Sequence, residues 1–256
     1  MKLCIRETPS ERERAARESA MAVLRLGQNR LALLVASLVC FAASFVCYFT
    51  VWAISLVCYE AIGDRASFWI WLAMQILVLV LVWLLAMPLW LGMYRMAHRM
   101  MHGAAAGSRE LFAYVTSAAM YGRALGISWR LLLRWIPAGL GYLVLQIFWD
   151  PEMSILLTVF FALTVVLSLT FVSGLGGLVT ASAADDSLTL RDASDKAQEL
   201  LCGERMHVLR YDIGLTCRLI VSLIPVGVPF LLQTLPHAML CSAAYCERLA
   251  ACERHE

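Results

Sequence analysis

Six long apolar runs, separated by short polar or basic connections, dominate the chain. They cover residues 31–58, 68–94, 125–148, 155–181, 213–232 and 235–249. About 20 apolar residues in a helix cross a hydrocarbon core about 30 Å thick. The pattern therefore predicts an all-α, polytopic transmembrane helix bundle with about six spans. The last run is short and contains His237 and Ser242, so a half-span or an interfacial helix is the alternative there.

Three stretches adjoining these runs have the apolar spacing of amphipathic helices. They are residues 9–26, 108–121 and 189–201. In the first, Ser10 and Glu13 have the spacing of a capping box, and Ala16, Ala20 and Leu24 fall on one helical face. Ordinary solvated loop helices would also fit. Because each stretch adjoins a run, we expect helices lying in the cytoplasmic membrane interface.

A glycine follows or ends each amphipathic stretch, and a basic residue comes within three positions. The glycines are Gly27, Gly122 and Gly203, and the basic residues are Arg30, Arg123 and Arg205. Glycine suits a helix C-terminus because it adopts the left-handed conformation without strain. We therefore predict three repeats of an interfacial helix, a glycine corner, and an outward and a returning span.

Lysine and arginine are distributed unevenly between alternate connections. Residues 59–67, 149–153 and 233–234 contain one base, Arg65, whereas the other connections and both ends of the chain are rich in arginine. Basic connections stay in the cytoplasm. This predicts a bacterial plasma-membrane protein with both termini cytoplasmic, residues 1–30 forming a cytoplasmic segment, and Asp64 and Pro151 on outer turns.

The composition agrees with a single integral membrane domain over residues 1–256. Hydrophobic residues make up 61% and charged residues 16% of the chain, against about 45–50% and about 25% in soluble domains. The net charge of +2 is too small to indicate a nucleic-acid partner. None of the nine cysteines forms a C-x-x-C pair, so a zinc or redox motif has no support.

The apolar runs contain little that indicates catalysis. No Asp or Glu lies in the middle of a run, and the chain has neither an H-E-x-x-H helix nor a Walker-type loop. Proton relays and intramembrane proteases need such groups deep in the bundle. We therefore predict no catalytic residue and no cofactor.

His98 and His102 are four residues apart and could form half of a metal site on a helix. Arg95 and Arg99 lie beside them, and no acidic or cysteine ligand is near in sequence. Repulsion between cations would oppose a metal ion. The sequence favours a solvated interfacial pair, and we predict no metal site.

Arg130 and Arg134 lie one turn apart in the third run, and Arg218 lies at a similar depth in the fifth. An arginine at the bilayer centre costs about 2.5–3.5 kcal/mol. Snorkelling to the surface or pairing with Asp212 would lower this cost. Alternatively, the three arginines form a cytoplasmic-leaflet pocket for an anionic lipid head or another anion. They are the candidate binding residues, with the bilayer and its anionic lipids as partners.

Prolines and glycines interrupt four of the six runs. They are Pro88, Pro137, Pro225, Pro229, Gly139, Gly141, Gly174, Gly176 and Gly177. Broken helices can frame a transport site, but small residues also permit close helix packing. We favour packing.

Several spaced motifs resemble domain of unknown function family 975, whose members are multi-pass bacterial membrane proteins. The motifs are Pro88-Leu89-Trp90-Leu91-Gly92, Tyr121-Gly122-Arg123-Ala124-Leu125 and Ala244-Tyr245-Cys246-Glu247-Arg248-Leu249. His237 departs from the family, which usually has an aromatic residue there. The resemblance implies a membrane domain with interfacial helices between its spans and supplies no catalytic residue.

These observations lead to a non-enzymatic integral membrane protein, an assembly, regulatory or envelope-associated factor. The alternative is a transport component for a small amphipathic or anionic substrate, which a polar cavity reaching the midplane would favour. A lipid-modifying enzyme is the weakest hypothesis, since the sequence offers no nucleophile–base pair.

Overall fold

The structure is a computed structural model that describes residues 8–62, 67–103, 107–147, 154–172, 189–200, 204–223 and 234–253. Of these residues, 93% are helical and none lies in a strand, which confirms the all-α prediction. The helices are α1 (Pro9–Arg25), α2 (Gly27–Ile62), α3 (Ser67–Leu81), α4 (Met87–Met101), α5 (Ser108–Leu111), α6 (Ala118–Ile147), α7 (Ser154–Val172), α8 (Leu190–Leu200), α9 (Arg205–Leu223) and α10 (Leu235–Glu253).

Helix α1 begins two residues earlier than the predicted capping box. Thr8 is the N-cap, and its hydroxyl accepts a hydrogen bond from the backbone N–H of Glu11, whose carboxylate accepts one from the backbone N–H of Thr8. The Thr8 backbone N–H and the Thr8 hydroxyl both donate to the Glu11 carboxylate and lower its pKa below the usual value. The Ser10–Glu13 box was therefore wrong. Pro9 explains the shift, because proline is well suited to the first helical position, where its missing N–H costs nothing.

Helix α2 packs antiparallel to α3 and α4. Ser37 Oγ lies 3.9 Å from Met93 Sδ, Trp90 Nε1 donates to Ser44 Oγ at 3.2 Å, and Cys47 Sγ lies 3.8 Å from the carbonyl oxygen of Leu81. Residue numbers rise along α2 as they fall along its partner. The first two apolar runs therefore form a helical hairpin.

Two further antiparallel pairs follow along the chain. In α6 and α7, the Tyr142 and Phe161 rings are 6.1 Å apart, and the closest approach is at Gly141, where a Cβ would come within 2.1 Å of Thr164 Oγ1. In α9 and α10, the Tyr211 hydroxyl donates to the carbonyl oxygen of Cys241 at 3.3 Å. In the parts that the structure describes, consecutive apolar runs therefore pack against each other in pairs, while the six spans stay a prediction.

The predicted glycine corner at Gly122 is wrong, whereas the chain does break between α1 and α2 at Gly27. Gly122 lies inside the continuous helix α6, while segment 108–121 contains the short helix α5 followed by turns at residues 112–117. At Gly27 the break is made by Leu26, with φ −74° and ψ 107°, so glycine is not needed there. Gly203 lies outside the described residues. Glycine inside a helix is tolerated at modest cost, so its position alone did not mark a corner.

Helices α4 and α10 form the packed centre of the molecule. Helix α10 contacts α1, α2, α4, α8 and α9. Its small residues Ala238, Ala243 and Ala244 are buried, as are residues 91–98 of α4. The interior is therefore concentrated at the end of the molecule where α2 begins and α4 ends.

The opposite ends of the long helices are loosely packed and apolar. Large exposed side chains there include Phe45, Phe49, Trp52, Val57, Ile76, Leu79, Leu140, Ile155, Leu156, Val159, Phe160 and Leu163. Two stretches, Gly27–Cys58 and Leu72–Met101, are long and apolar enough to cross a membrane, and Ile155–Val165 is a shorter apolar helix. Asp64, Pro151, Pro225, Pro229 and the glycines at 174, 176 and 177 lie outside the described residues.

A π-helical turn, Val82–Ala86, joins α3 to α4 just before Pro88. Proline has no N–H to offer the carbonyl four residues earlier and clashes with it in a regular helix. That carbonyl belongs to Leu84, and the Tyr121 hydroxyl of α6 donates to it at 2.7 Å. The break at Pro88 is therefore stabilised by a contact between hairpins, in agreement with the packing interpretation.

Replacing Tyr121 with Phe should destabilise the protein, because the Leu84 carbonyl loses its donor while the ring volume is kept. We expect a loss of about 1–3 kcal/mol in the free energy of unfolding, measured by chemical denaturation in a mild detergent. Tyr48→Phe is the matched control, since the Tyr48 side chain is exposed. Equal stability of the two variants would show that this hydrogen bond contributes nothing.

Candidate functional site

Polar side chains collect at the packed end of the molecule. A largely buried ion pair joins α1 to the start of α9, where Arg12 Nη2 lies 2.7 Å from Glu204 Oε1. The Arg12 side chain is 4% exposed and that of Glu204 is 18% exposed. Two helices that are far apart in sequence are held together here by charge.

A second group of charges lies between α4 and α5. Glu110 accepts hydrogen bonds from Arg95 Nε at 3.1 Å and from Arg99 Nη1 at 2.6 Å. Gly92 lets α5 approach α4 this closely, because a Cβ at position 92 would come within 1.9 Å of the Leu111 carbonyl oxygen. One carboxylate therefore faces both of the arginines that flank His98.

The third group consists of His98 and His102 of α4 with Glu247 of α10. Glu247 Oε1 lies 3.4 Å from His98 Nε2 and 3.4 Å from His102 Nδ1. The imidazole rings are 4.7 Å apart. One ligand atom from each residue falls within 4.8 Å of the other two. These are atoms of the kind that bind transition metals.

The end of α4 sets the position of His102. The His102 N–H donates to the Arg99 carbonyl, and the Gly103 N–H donates to the Met100 carbonyl, both at 3.1 Å. Gly103 has φ +74°, the left-handed conformation that glycine adopts without strain. The helix thus closes directly after the second histidine, whose Nδ1 lies 3.1 Å from the His98 carbonyl oxygen.

Sequence reasoning found the histidines but missed their carboxylate. Glu247 lies on the last described helix, and no local spacing links it to His98. The repulsion that Arg95 and Arg99 were expected to exert on a metal ion is also reduced, because both arginines face Glu110. The sequence did contain one signal for this carboxylate. Glu247 is an acidic residue within the apolar run 235–249, and a buried acidic residue requires a partner.

The arginines predicted to bind an anion contact different parts of the fold. Arg130 Nη1 donates to the carbonyl oxygen of Leu190 in α8 at 3.2 Å. Arg134 is partly buried one turn further along α6. Arg218 is exposed on α9 and lies within electrostatic range of His237 and Cys241 in α10. Anion binding by this group stays a prediction.

Comparisons with protein-family models, with curated proteins and with solved structures each gave no match. The resemblance to domain of unknown function family 975 therefore stays a prediction.

The Arg12–Glu204 pair gives a test of how α1 is held. Arg12→Met should lower the free energy of unfolding by about 3 kcal/mol, because a partly buried carboxylate loses its counter-charge. The double variant Arg12→Met/Glu204→Met should lose less, since no unpaired charge remains. Chemical denaturation of the three proteins measures both changes. A double variant less stable than Arg12→Met would contradict this account.

Proposed function

We propose that the chain is a multi-pass integral membrane protein of the bacterial plasma membrane, without enzymatic activity, acting as an assembly, regulatory or envelope-associated factor. One observation carries the membrane assignment. Helical residues 45–58, 67–86, 135–147 and 154–172 contain no charged residue, and their large apolar side chains are widely exposed, with Ile155 at 80%. Water-exposed surfaces rarely contain apolar patches of this extent.

The burial of the long helices supports lipid rather than a protein interior around them. A core helix of a soluble protein can be equally long and apolar, but it is mostly buried. Here only 28% of the apolar window in Gly27–Cys58 and 33% of that in Leu72–Met101 are buried. The apolar side chains that remain exposed on these helices are more favourably surrounded by lipid hydrocarbon than by water.

We place the charged, packed end of the molecule on the cytoplasmic side. Arginine-rich segments precede α2 and follow α4, and the positive-inside rule assigns both to the cytoplasm. Each of the three hairpins returns the chain to its starting side. Both termini are then cytoplasmic, whatever depth the third hairpin reaches.

Contacts with α1 favour the half-span or interfacial alternative for the last apolar run. Two contacts show that α10 lies antiparallel to α1. His237, near the start of α10, lines a cavity of about 500 Å³ together with Leu24, near the end of α1. Further along α10, Tyr245 lies within electrostatic range of Arg12, near the start of α1. The charged face of α1 suits the membrane interface. Full spans formed by α2, α3–α4, α6 and α7, together with an interfacial α10, agree with this packing.

A groove between α3 and α6 has a mainly apolar lining. The groove has a volume of about 460 Å³ and is lined mainly by leucine, isoleucine and tryptophan, with Gln75 and Tyr142 as polar members. Such a surface suits a lipid chain or a neighbouring helix. It offers little to a hydrated anion.

Reporter fusions test the topology. A reporter inserted at Asp64 should respond from outside the cytoplasm, and one attached after Arg254 should respond from inside, because the basic segments stay in the cytoplasm. An insertion at Gly107, between α4 and α5, is the matched control for the inner side. The same compartment for Asp64 and Gly107 would contradict the proposed spans.

Lipid retention tests the anionic-lipid partner. If Arg130 and Arg134 bind a lipid headgroup, the double variant Arg130→Ala/Arg134→Ala loses the charge–phosphate contacts. After purification it should retain no more than about half of the phosphatidylglycerol or cardiolipin that the wild-type protein retains. Mass spectrometry of extracted lipid measures this change. The control Arg14→Ala/Arg109→Ala removes two exposed arginines. Equal retention in both variants would leave snorkelling as the role of Arg130 and Arg134.

A further inference from the structure

We infer that His98, His102 and Glu247 bind a zinc ion that joins the C-terminal end of α4 to α10. The inference is independent of the proposed membrane function, since it depends only on the packing of these two helices. It assigns a ligand to a group of side chains that the arginine pocket does not use.

The geometry is close to that of a zinc site. Zinc bound tetrahedrally at about 2.0–2.1 Å from nitrogen and oxygen ligands separates those ligand atoms by about 3.3 Å. Glu247 Oε1 already lies 3.4 Å from a ring nitrogen of each histidine. The remaining adjustment falls on His102, whose Nδ1 donates to the His98 carbonyl oxygen at 3.1 Å and must leave that hydrogen bond and lose its proton to bind zinc. Its side chain is 59% exposed and has room to turn.

Glu247 itself supplies the second observation. Its Oε1 is buried from solvent, and no hydrogen bond reaches this atom from the residues that the structure describes. A buried polar atom without a hydrogen bond is costly. A cation bound between the carboxylate and the two imidazoles would satisfy that oxygen.

The surrounding charges favour a cation at this position. Arg95 and Arg99 face Glu110, which leaves the carboxylate of Glu247 to the imidazoles. The site also lies at the C-terminal end of α4, where the helix dipole favours positive charge. The His98 carbonyl oxygen adds a further negative dipole nearby.

The ligand set indicates which ion binds and what it does. Two imidazoles four residues apart on one helix face and a carboxylate from another helix are typical zinc ligands, with water completing the coordination. The residues between the histidines are Arg99, Met100 and Met101, so no carboxylate lies where a metallopeptidase places its general base. The ion would act as a clamp between α4 and α10.

Zinc binding to the purified full-length protein tests the inference. After removal of metals with a chelator, Zn²⁺ is titrated in competition with a chromogenic chelator at neutral pH. We expect one ion per chain, and at least tenfold weaker binding for Glu247→Gln and for His102→Ala. The matched control His207→Ala removes an exposed histidine of α9 and should bind as the wild type does.

Two further readouts separate coordination from a general effect on folding. Zinc should raise the melting temperature of the wild type and of His207→Ala, but not of Glu247→Gln. Co²⁺ in the wild type should give the visible absorption bands of a four-coordinate ion. If Glu247→Gln fails to fold, His102→Ala decides, because its side chain is largely exposed. Fewer than one ion per chain, or equal affinity of His102→Ala and His207→Ala, would overturn the inference.

Discussion

Close packing around α10 is the constraint on which the arrangement of the other helices depends. Its small side chains, such as Ala243 and Ala244, let α1 and α4 approach, and interiors packed at crystal-like density leave no room for larger ones. The same packing stacks Tyr245 on Tyr211, with ring centroids 4.4 Å apart. It also carries Glu247 to the histidines of α4.

Side chains from neighbouring helices satisfy the backbone where prolines interrupt it. Tyr121 donates to the Leu84 carbonyl before Pro88, and Ser168 of α7 accepts from the Ala138 N–H beside Pro137. Unsatisfied backbone groups are especially costly in apolar surroundings, because no water replaces the lost hydrogen bond. At Pro88 and Pro137 the break therefore connects one helix to a neighbouring helix.

Charged groups at the packed end are sorted by the fold. Glu204 pairs with Arg12, and Glu110 pairs with both Arg95 and Arg99. Glu247 is left facing two imidazoles. Three carboxylates from different parts of the chain thus have distinct partners, and the contacts of Glu204 and Glu247 link helices that are far apart in sequence. Toward the opposite ends of the helices, the described residues 45–58, 67–86, 135–147 and 154–172 contain no charged side chain, so charge is concentrated at the packed end.

Local patterns in the sequence determined the helical class, the buried face of α1 and the hairpin pairing, because apolar runs and short connections act over neighbouring residues. Thr8 and Ser10 were both suitable N-caps for α1. Pro9 favours Thr8, because proline suits the first helical position. Gly122 was mistaken for a corner, since glycine is compatible with a continuous helix. The partners of Glu204, Glu110 and Glu247 were decided only by the tertiary structure. Residue spacing shows which side chains share a face of one helix. It does not show which faces meet when α10 packs against α1 and α4.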